Sequence, residues 1–469
     1  MKFSEILEKF ESIESELELD KSIIQGVPWW DLVRYPLFEN IFAQFSEKKK
    51  DINLKNNFII RLCSRINSVT KSLFLILSPK SPIWIQKETN LIWGHPRRKL
   101  ENGKFTDIYS DAFIDLFPSS VDFTVIERSD NNKHLTPFKK TNVFYGENLL
   151  SLAYLIQIFK KIKFNQEELL LIEKLQFLID KNFSYQIDIK RIINIKLRSW
   201  FGIFPLMCLF FKIKKPKNLF IVVSAGNEAI VAAAKNQKIP SFELQHGSPT
   251  RGKLNYDYSS GLEKKSFPDW FLSFGDYWTS EFKIPVDKKK IIPIGYSYLN
   301  KKISHYAEIK KENRLIIISQ PKYSRELAEL AIDISQTYLN KLKIEFRPHP
   351  MEINSGKKPK YFKKLEDSGI LISNPDTDLY EILAKSRWQI GVYSTALYEG
   401  LCFGVACFVF DVPRAELMKN LFKNDLARTI STAKDFDLEW QIDKKKMNNY
   451  FCRPNRDQIN FLISLMSKK

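Results

Sequence analysis

A chain of 469 residues is too long for one small module, and at about 150 residues per domain it makes roughly three units, or two larger ones with an appendage. Its 44% hydrophobic, 27% charged and 13% aromatic content excludes a disordered or low-complexity chain. Seventy-three Lys and Arg against 54 Asp and Glu leave a formal net charge of +19, which favours contact with anionic membrane surfaces, nucleic acids or phosphorylated substrates without choosing among them.

The acidic, amphipathic start has Ile6, Leu7, Phe10 and Ile13 at helical spacing and lacks the basic, apolar and small-residue regions of a secretory signal. Trp29, Trp30, Leu32, Val33, Leu37 and Phe38 continue the helical pattern after the break at Gly26-Val27-Pro28, so residues 1–85 read as a helical appendage, membrane-surface or acceptor-side. Between Lys48 and Lys80 basic residues alternate with apolar ones such as Phe58, Leu73 and Phe74. This segment fits docking on anionic lipid, or more simply the solvated basic face of a packed helix.

From Asn90 the punctuation becomes that of strands: Leu91-Ile92-Trp93 ends at Gly94-His95-Pro96, and Val121 to Ile126 ends at Glu127-Arg128. A helical stretch over 148–212 contains the apolar run Ser199 to Phe211, whose 13 residues fall short of the ~20 of a membrane span and read as a buried helix, with a helix lying in a membrane interface as the alternative. Leu219 to Val223, a small-residue helix from Glu228 to Asn236, and Pro240 to Leu244 then follow βαβ grammar, which implies a parallel sheet. Short strands are predicted again at 270–275, 291–295, 315–319, 344–346, 388–392 and 407–410, with helices at 324–340 and 395–403. The predicted architecture is α/β, with two Rossmann-like domains (86–285 and 286–469) facing a cleft. Five scattered cysteines without a CxxC pair suggest neither a disulfide framework nor a zinc cluster and suit a reducing cytoplasm.

Chemistry is expected in the loops at strand carboxyl ends. His246, between a strand and Gly247, can take a proton from a hydroxyl near neutral pH, with Glu243 orienting it or serving as base; the simpler reading is a turn cap. Arg347-Pro348-His349-Pro350 presents two groups able to donate to phosphate on a loop stiffened by proline, the alternative being an Arg satisfied within a Pro-bounded turn. Ser394 and Thr395 open a helix whose free N–H groups can bind phosphate, and Glu399, one turn on, can accept from ribose hydroxyls; an ordinary Ser N-cap is the alternative. Asp376-Thr377-Asp378 has the spacing of a metal-binding acidic pair but precedes a helix and reads as an N-cap. The sequence contains no GxxxxGK[ST], GxGxxG or HExxH motif. It also lacks an aromatic-basic RNP-like segment, a GXXG clamp and a zinc knuckle, so nucleic acid and metal are not expected as partners.

At these residues the chain resembles bacterial glycosyltransferases of the GT-B type that build surface polysaccharides from CMP- or CDP-activated donors. Arg347-Pro348-His349-Pro350 and Ser394-Thr395 resemble the His-Pro and Ser-Ser/Thr motifs of sialyl- and polysialyltransferases. Gln245-His246-Gly247-Ser248-Pro249 is similar to the His-Gly-Thr-Pro segment of teichoic acid glycerophosphotransferases. The resemblance covers residues 219–412. It implies metal-independent, inverting transfer in capsule, O-antigen or lipopolysaccharide biosynthesis, with His246 and Glu243 catalytic. Arg347, His349, Ser394, Thr395 and Glu399 would hold the donor, and Arg251 would lie on the acceptor side. It further implies a nucleotide sugar and a glycan or glycolipid acceptor as partners, no cofactor beyond the donor, and a cytoplasmic location with peripheral contact to an anionic membrane. The alternatives are a nucleotide-sugar 2-epimerase of the same fold and a non-catalytic binder of anionic glycans or lipids.

Overall fold

The computed structural model describes residues 1–45, 78–101, 103–129, 133–135, 137, 142–280, 282–338, 341–353, 359–374, 377–443 and 450–467. Cys63, Asp376 and most of the basic Lys48–Lys80 segment lie outside them. The chain divides into two compact units, one of Met1–Gly295 with Pro454–Lys469 and one of Tyr296–Arg453.

Strands of the first unit are β1 (Asn90–Trp93), β2 (Arg98–Glu101), β3 (Lys104–Asp107), β4 (Phe123–Glu127), β5 (Asn142–Tyr145), β6 (Asn218–Val222), β7 (Ser241–Leu244), β8 (Trp270–Ser273) and β9 (Ile291–Pro293). Seven of them form one parallel sheet in the order β5-β4-β1-β6-β7-β8-β9, while β2 and β3 make a separate antiparallel hairpin. Every residue of β1, β4, β6 and β7 is buried, as expected of parallel strands covered by helices on both faces. Leu91, Trp93, Leu219 and Ile221 meet Met207, Phe211 and Ile230 on one face. On the other, Phe113, Phe117, Phe123 and Phe220 interlock with centroids 5.0–5.9 Å apart.

The 148–212 stretch forms three helices, Glu147–Phe159, Gln166–Phe183 and Ile189–Lys214. Their starts are chemically marked. Asn165 and Glu168 close a reciprocal capping box, and Asp188 accepts from Arg191 N at 2.8 Å. The run Ser199 to Phe211 therefore lies within a 26-residue helix, with Ile193, Leu197, Trp200, Met207 and Phe211 on its buried side. That helix packs closely on Glu147–Phe159. A Cβ on Gly202 would stand 2.3 Å from the Ala153 carbonyl oxygen, so only glycine admits this approach.

Residues 1–45 belong to the first unit. Helices Phe3–Glu16 and Trp29–Gln44 hold the loop between β7 and β8 through buried ions. Arg34, 1% exposed, binds Glu14 through Nε and NH2, and its NH1 donates to the carbonyls of Leu254 (2.9 Å) and Asp257 (2.6 Å). Asp31 accepts from the backbone and hydroxyl of Ser266 at 2.8 and 2.7 Å. The helix Arg456–Met466, expected with the second domain, also belongs to the first unit. There Asn218 donates to Met466 O at 3.0 Å and Phe461 meets Trp270 edge-on.

The second unit carries β10 (Arg314–Ile318), β11 (Lys343–Arg347), β12 (Leu371–Ile372), β13 (Trp388–Gly391), β14 (Ala406–Phe410) and β15 (Ala427–Ile430), parallel throughout in the order β12-β11-β10-β13-β14-β15. Leu315, Ile317, Phe346, Ile390 and Phe408 face the helix Ser324–Thr337 and the Phe436 and Trp440 segment. Both units are thus Rossmann-like, each an open parallel sheet whose strand order runs outward one way and then returns to start the other half.

Candidate functional site

That reversal makes a topological switch point in each sheet, where the loops leaving two adjacent strands part and open a crevice at the carboxyl edge. In the second unit the switch lies between β10 and β13. β10 pairs with β11 on one side and β13 on the other, with Ile318 opposite Arg347 and Ile317 opposite Ile390. The loops after β11 and β13 therefore leave the same edge two strand spacings apart, about 10 Å. This register brings Arg347 and His349 to one side of the crevice and Ser394 and Thr395 to the other.

Each of these loops is fixed from below. Arg347 donates through NH1 to Asn374 O at 2.6 Å, and its own carbonyl accepts from Ser319 N at 3.0 Å. His349 Nδ1 accepts from Met351 N at 3.2 Å, which leaves the ring's proton on Nε2 as a donor. Glu352, 8% exposed, accepts from His349 N (2.5 Å), Ser319 Oγ (3.0 Å) and Tyr361 OH (2.5 Å), so one buried carboxylate locks the ends of β10 and β11 together. Ser394 is the N-cap of the helix Thr395–Cys402, its hydroxyl accepting from Ala396 N at 3.2 Å while its own proton remains to be donated. Glu399 sits one turn along this helix, half-buried. At Gly400 a Cβ would lie 2.2–2.6 Å from the Gln389 amide, which is itself held by the Leu397 carbonyl at 2.9 Å. Glycine there lets the helix start directly against β13. Asp378 caps the helix Leu379–Lys385, accepting from Tyr380 N at 3.2 Å and pairing with Lys302 at 2.7 Å.

The first unit's switch point lies between β1 and β6, and His95 leaves β1 there. His246 leaves β7, the next strand but one from β1, and the two imidazoles stack with centroids 6.1 Å apart. Gln245 pins the turn: its Oε1 accepts from Phe274 N (2.7 Å), its Nε2 donates to Gly247 O (2.8 Å), and Tyr109 OH donates to the His246 carbonyl (2.8 Å). The half-buried ring of His246 lines a cavity of about 130 Å³ together with Tyr35, Lys253, Asn255 and Tyr256.

Glu243, three residues earlier within β7, is fully buried, and its Oε1 accepts from Ser224 N (3.3 Å) and the Tyr256 hydroxyl. Its Oε2 is buried without a hydrogen-bond partner, and burial raises its pKa. Tyr256 OH also lies 3.5 Å from His246 Nδ1, at the outer limit of a hydrogen bond. The phenol therefore stands between carboxylate and imidazole. With the phenol proton directed to Glu243, its oxygen accepts from Nδ1–H, and Nε2 is left as the basic nitrogen. Burial, then Lys253, His95 and Arg97, push the His246 pKa down to about 3, so the ring is neutral at physiological pH and a weaker base than the near-neutral imidazole expected from the sequence. Burial and then Arg97, Arg128 and Arg98 lower His95 to about 4.

Arg251 binds Glu11 through both terminal nitrogens at 2.7 Å and Asp257 at 2.6 Å, which ties the β7–β8 loop to the N-terminal helix. Sequence reasoning missed Tyr256, His95 and Glu352. A histidine beside a glycine at a strand end, Gly94-His95 after β1 as well as His246-Gly247 after β7, was the available signal; Tyr256 and Glu352 carry none. Among the described residues no group of three or more His, Cys, Asp or Glu side chains is arranged to hold a metal ion.

No protein-family model matches the chain, and no curated protein matches it in sequence. Among solved structures it is similar to UDP-GlcNAc 2-epimerase of Methanocaldococcus jannaschii in complex with UDP-GlcNAc and UDP, at 11% identity and a TM-score of 0.48, over 81% of this chain and 99% of that one. It is similar at 12% identity and a TM-score of 0.48 to a putative UDP-N-acetylglucosamine 2-epimerase of Listeria monocytogenes, over 82% and 96% of the two chains. It is also similar to the wall teichoic acid polymerase TagF, at 10% identity and a TM-score of 0.44, over 86% and 97%.

Proposed function

We propose that the chain is a metal-independent, inverting glycosyltransferase of the GT-B type that uses a CMP- or CDP-linked donor to build a cytoplasmic precursor of a surface polysaccharide. The observation that carries this reading is the second unit's switch point, where parallel register brings Arg347, His349, Ser394 and Thr395 to one carboxyl edge. All four can donate to phosphate oxygen, and Glu399, on the helix that Ser394 caps and Thr395 opens, suits ribose hydroxyls.

In the proposed reaction His246 Nε2 takes the acceptor hydroxyl proton as that oxygen attacks the anomeric carbon. The bond from carbon to phosphate oxygen breaks, and its electron pair leaves with the nucleotide. The guanidinium of Arg347, Nε2–H of His349, the Ser394 hydroxyl and the first N–H groups of the helix Thr395–Cys402 stabilise the charge that develops there. Glu243 acts through Tyr256 as a positioning group that fixes the His246 tautomer. Arg251 acts on the acceptor side indirectly, by holding the loop that carries Lys253 and Tyr256.

The 2-epimerase reading is separated by its lack of an acceptor. Incubation with UDP-N-acetylglucosamine alone is expected to leave the sugar unchanged, and formation of ManNAc would replace the transferase proposal. A thermal-shift comparison of CMP, CDP, UDP and GDP tests the donor. A ligand at 100 times its Kd adds about 2.7 kcal/mol of stability, so the cytidine nucleotides are expected to raise Tm and the others not.

A further inference from the structure

The helix Ile189–Lys214 is long and apolar enough, by length and composition, to cross a membrane, yet one side of it is already bound within the first unit. Its other side carries Ile195, Leu209 and Ile213, exposed by 51%, 54% and 51%. Leu209 and Ile213 lie 14 and 18 positions beyond Ile195, close to four and five turns of ~3.6 residues, so all three share one side of the helix over about 27 Å, a side that the helix Glu147–Phe159 crosses between them at the buried Gly202. The helix Glu147–Phe159 ends against this stripe. Arg198 donates to the carbonyls of Gln157 (2.9 Å) and Ile158 (2.7 Å), and Lys160 Nζ lies 4.3 Å from the Phe201 ring centroid. That contact sets Phe159, 81% exposed, beside the stripe. At the opposite end Lys214 Nζ donates to the carbonyls of Ile83 and Ile85, and between those two residues Trp84 is 58% exposed.

Charge selects what covers this face. The helix contains Lys190, Arg191, Lys196, Arg198, Lys212 and Lys214 and no acidic residue. Lys161 and Lys163 flank it at the Phe159 end, and Lys215 and Lys217 at the Trp84 end. An apolar stripe bordered by cations, with an aromatic residue exposed at each end, is the pattern of a helix lying in a membrane interface: apolar groups enter the acyl boundary while Lys and Arg reach anionic headgroups. A spanning helix would need to be apolar all round and free of its buried contacts.

We propose that this face, formed by the helices Glu147–Phe159 and Ile189–Lys214 with Trp84, seats the first unit on an anionic lipid surface. Co-sedimentation of the full chain with vesicles tests it. One set is equal parts phosphatidylcholine and phosphatidylglycerol, the other phosphatidylcholine alone, and a double variant Phe159→Glu, Leu209→Glu is run alongside. Both substituted side chains are solvent-exposed, so an unchanged Tm is expected and verifies the fold. The wild type is expected to partition onto the anionic vesicles about tenfold or more better than onto neutral ones, less so at high salt, and the double variant to lose about tenfold. Absent binding, equal binding to both lipids, or undiminished binding by the variant would overturn the proposal. So would a dimer in solution that the double substitution dissociates, since a second copy would then be the occupant. No substrate takes part in this measurement, so it succeeds or fails apart from the proposed reaction.

Discussion

His246, Tyr256 and Glu243 form a short chain in which each group sets the proton position of the next, and the consequences differ by residue. His246→Asn is expected to lower kcat roughly 10²–10³-fold with nucleotide affinity unchanged, the signature of an interaction made in the transition state. Tyr256→Phe keeps the ring packed but removes the hydroxyl between carboxylate and imidazole, so its loss is expected in kcat rather than KM, and smaller. An equal fall in nucleotide affinity would contradict both assignments. A second histidine gives a stability test. His134 lies between Glu127 (3.6 Å) and Glu147 (3.0 Å) and stacks on Tyr145; these carboxylates outweigh burial and raise its pKa from 6.5 to about 9. Below pH 6.5 the folded and unfolded states both hold this proton and the stabilisation is complete; it is lost as pH rises from 6.5 through about 9. His95 and His246, lowered to about 4 and 3, act oppositely, since stability falls as pH drops below 6.5 and only the unfolded chain takes up their protons. Denaturant titrations across this range are expected to show a maximum near pH 6.5, with the alkaline decline reduced in His134→Gln. An undiminished decline would place its origin elsewhere.

At the level of elements, two contacts hold the site loops. Gly400→Ala drives a methyl group into the Gln389 amide and is expected to cost roughly 1–3 kcal/mol of unfolding free energy, whereas the solvent-facing Lys364→Ala changes it little. Arg34→Ala leaves Glu14 buried without its partner and frees the carbonyls of Leu254 and Asp257. A loss of roughly 3–5 kcal/mol is expected, together with reduced activity through the loop bearing Tyr256. Wild-type stability in either variant would remove the corresponding contact from the account. These elements also show what a sequence discloses. Leu219–Val223 and Leu315–Ser319 were legible because a strand buried on both faces must be continuously apolar. Ala427–Ile430 was not, because at a sheet edge its Arg428 and Thr429 face solvent. The loops after β7, β11 and β13 were legible from strand-then-polar punctuation. Tyr256 and Glu352 were not, because a phenol in a long loop and a glutamate after Pro350 acquire their roles only from contacts the fold creates. The N-terminal helices were recognised as helices, but their hold on the 251–266 loop rests on Arg34 and Asp31, whose partners lie more than two hundred residues away in sequence.

Across the whole chain, two parallel sheets divide the proposed chemistry: Arg347, His349, Ser394, Thr395 and Glu399 collect at the switch point of the second unit, and the neutral imidazole of His246 with Tyr256 and Glu243 belongs to the first. A +19 chain suits both an anionic donor and the lipid surface proposed for the helix Ile189–Lys214, and the two attractions respond to different substitutions because they occupy different residues. Nucleotide affinity reports on this division most directly. Titration of CMP and CDP into the wild type, Arg347→Ala and His246→Asn is predicted to show binding that weakens about tenfold or more in Arg347→Ala and stays within about twofold in His246→Asn. Failure of cytidine nucleotides to bind, or binding indifferent to Arg347, would contradict the account.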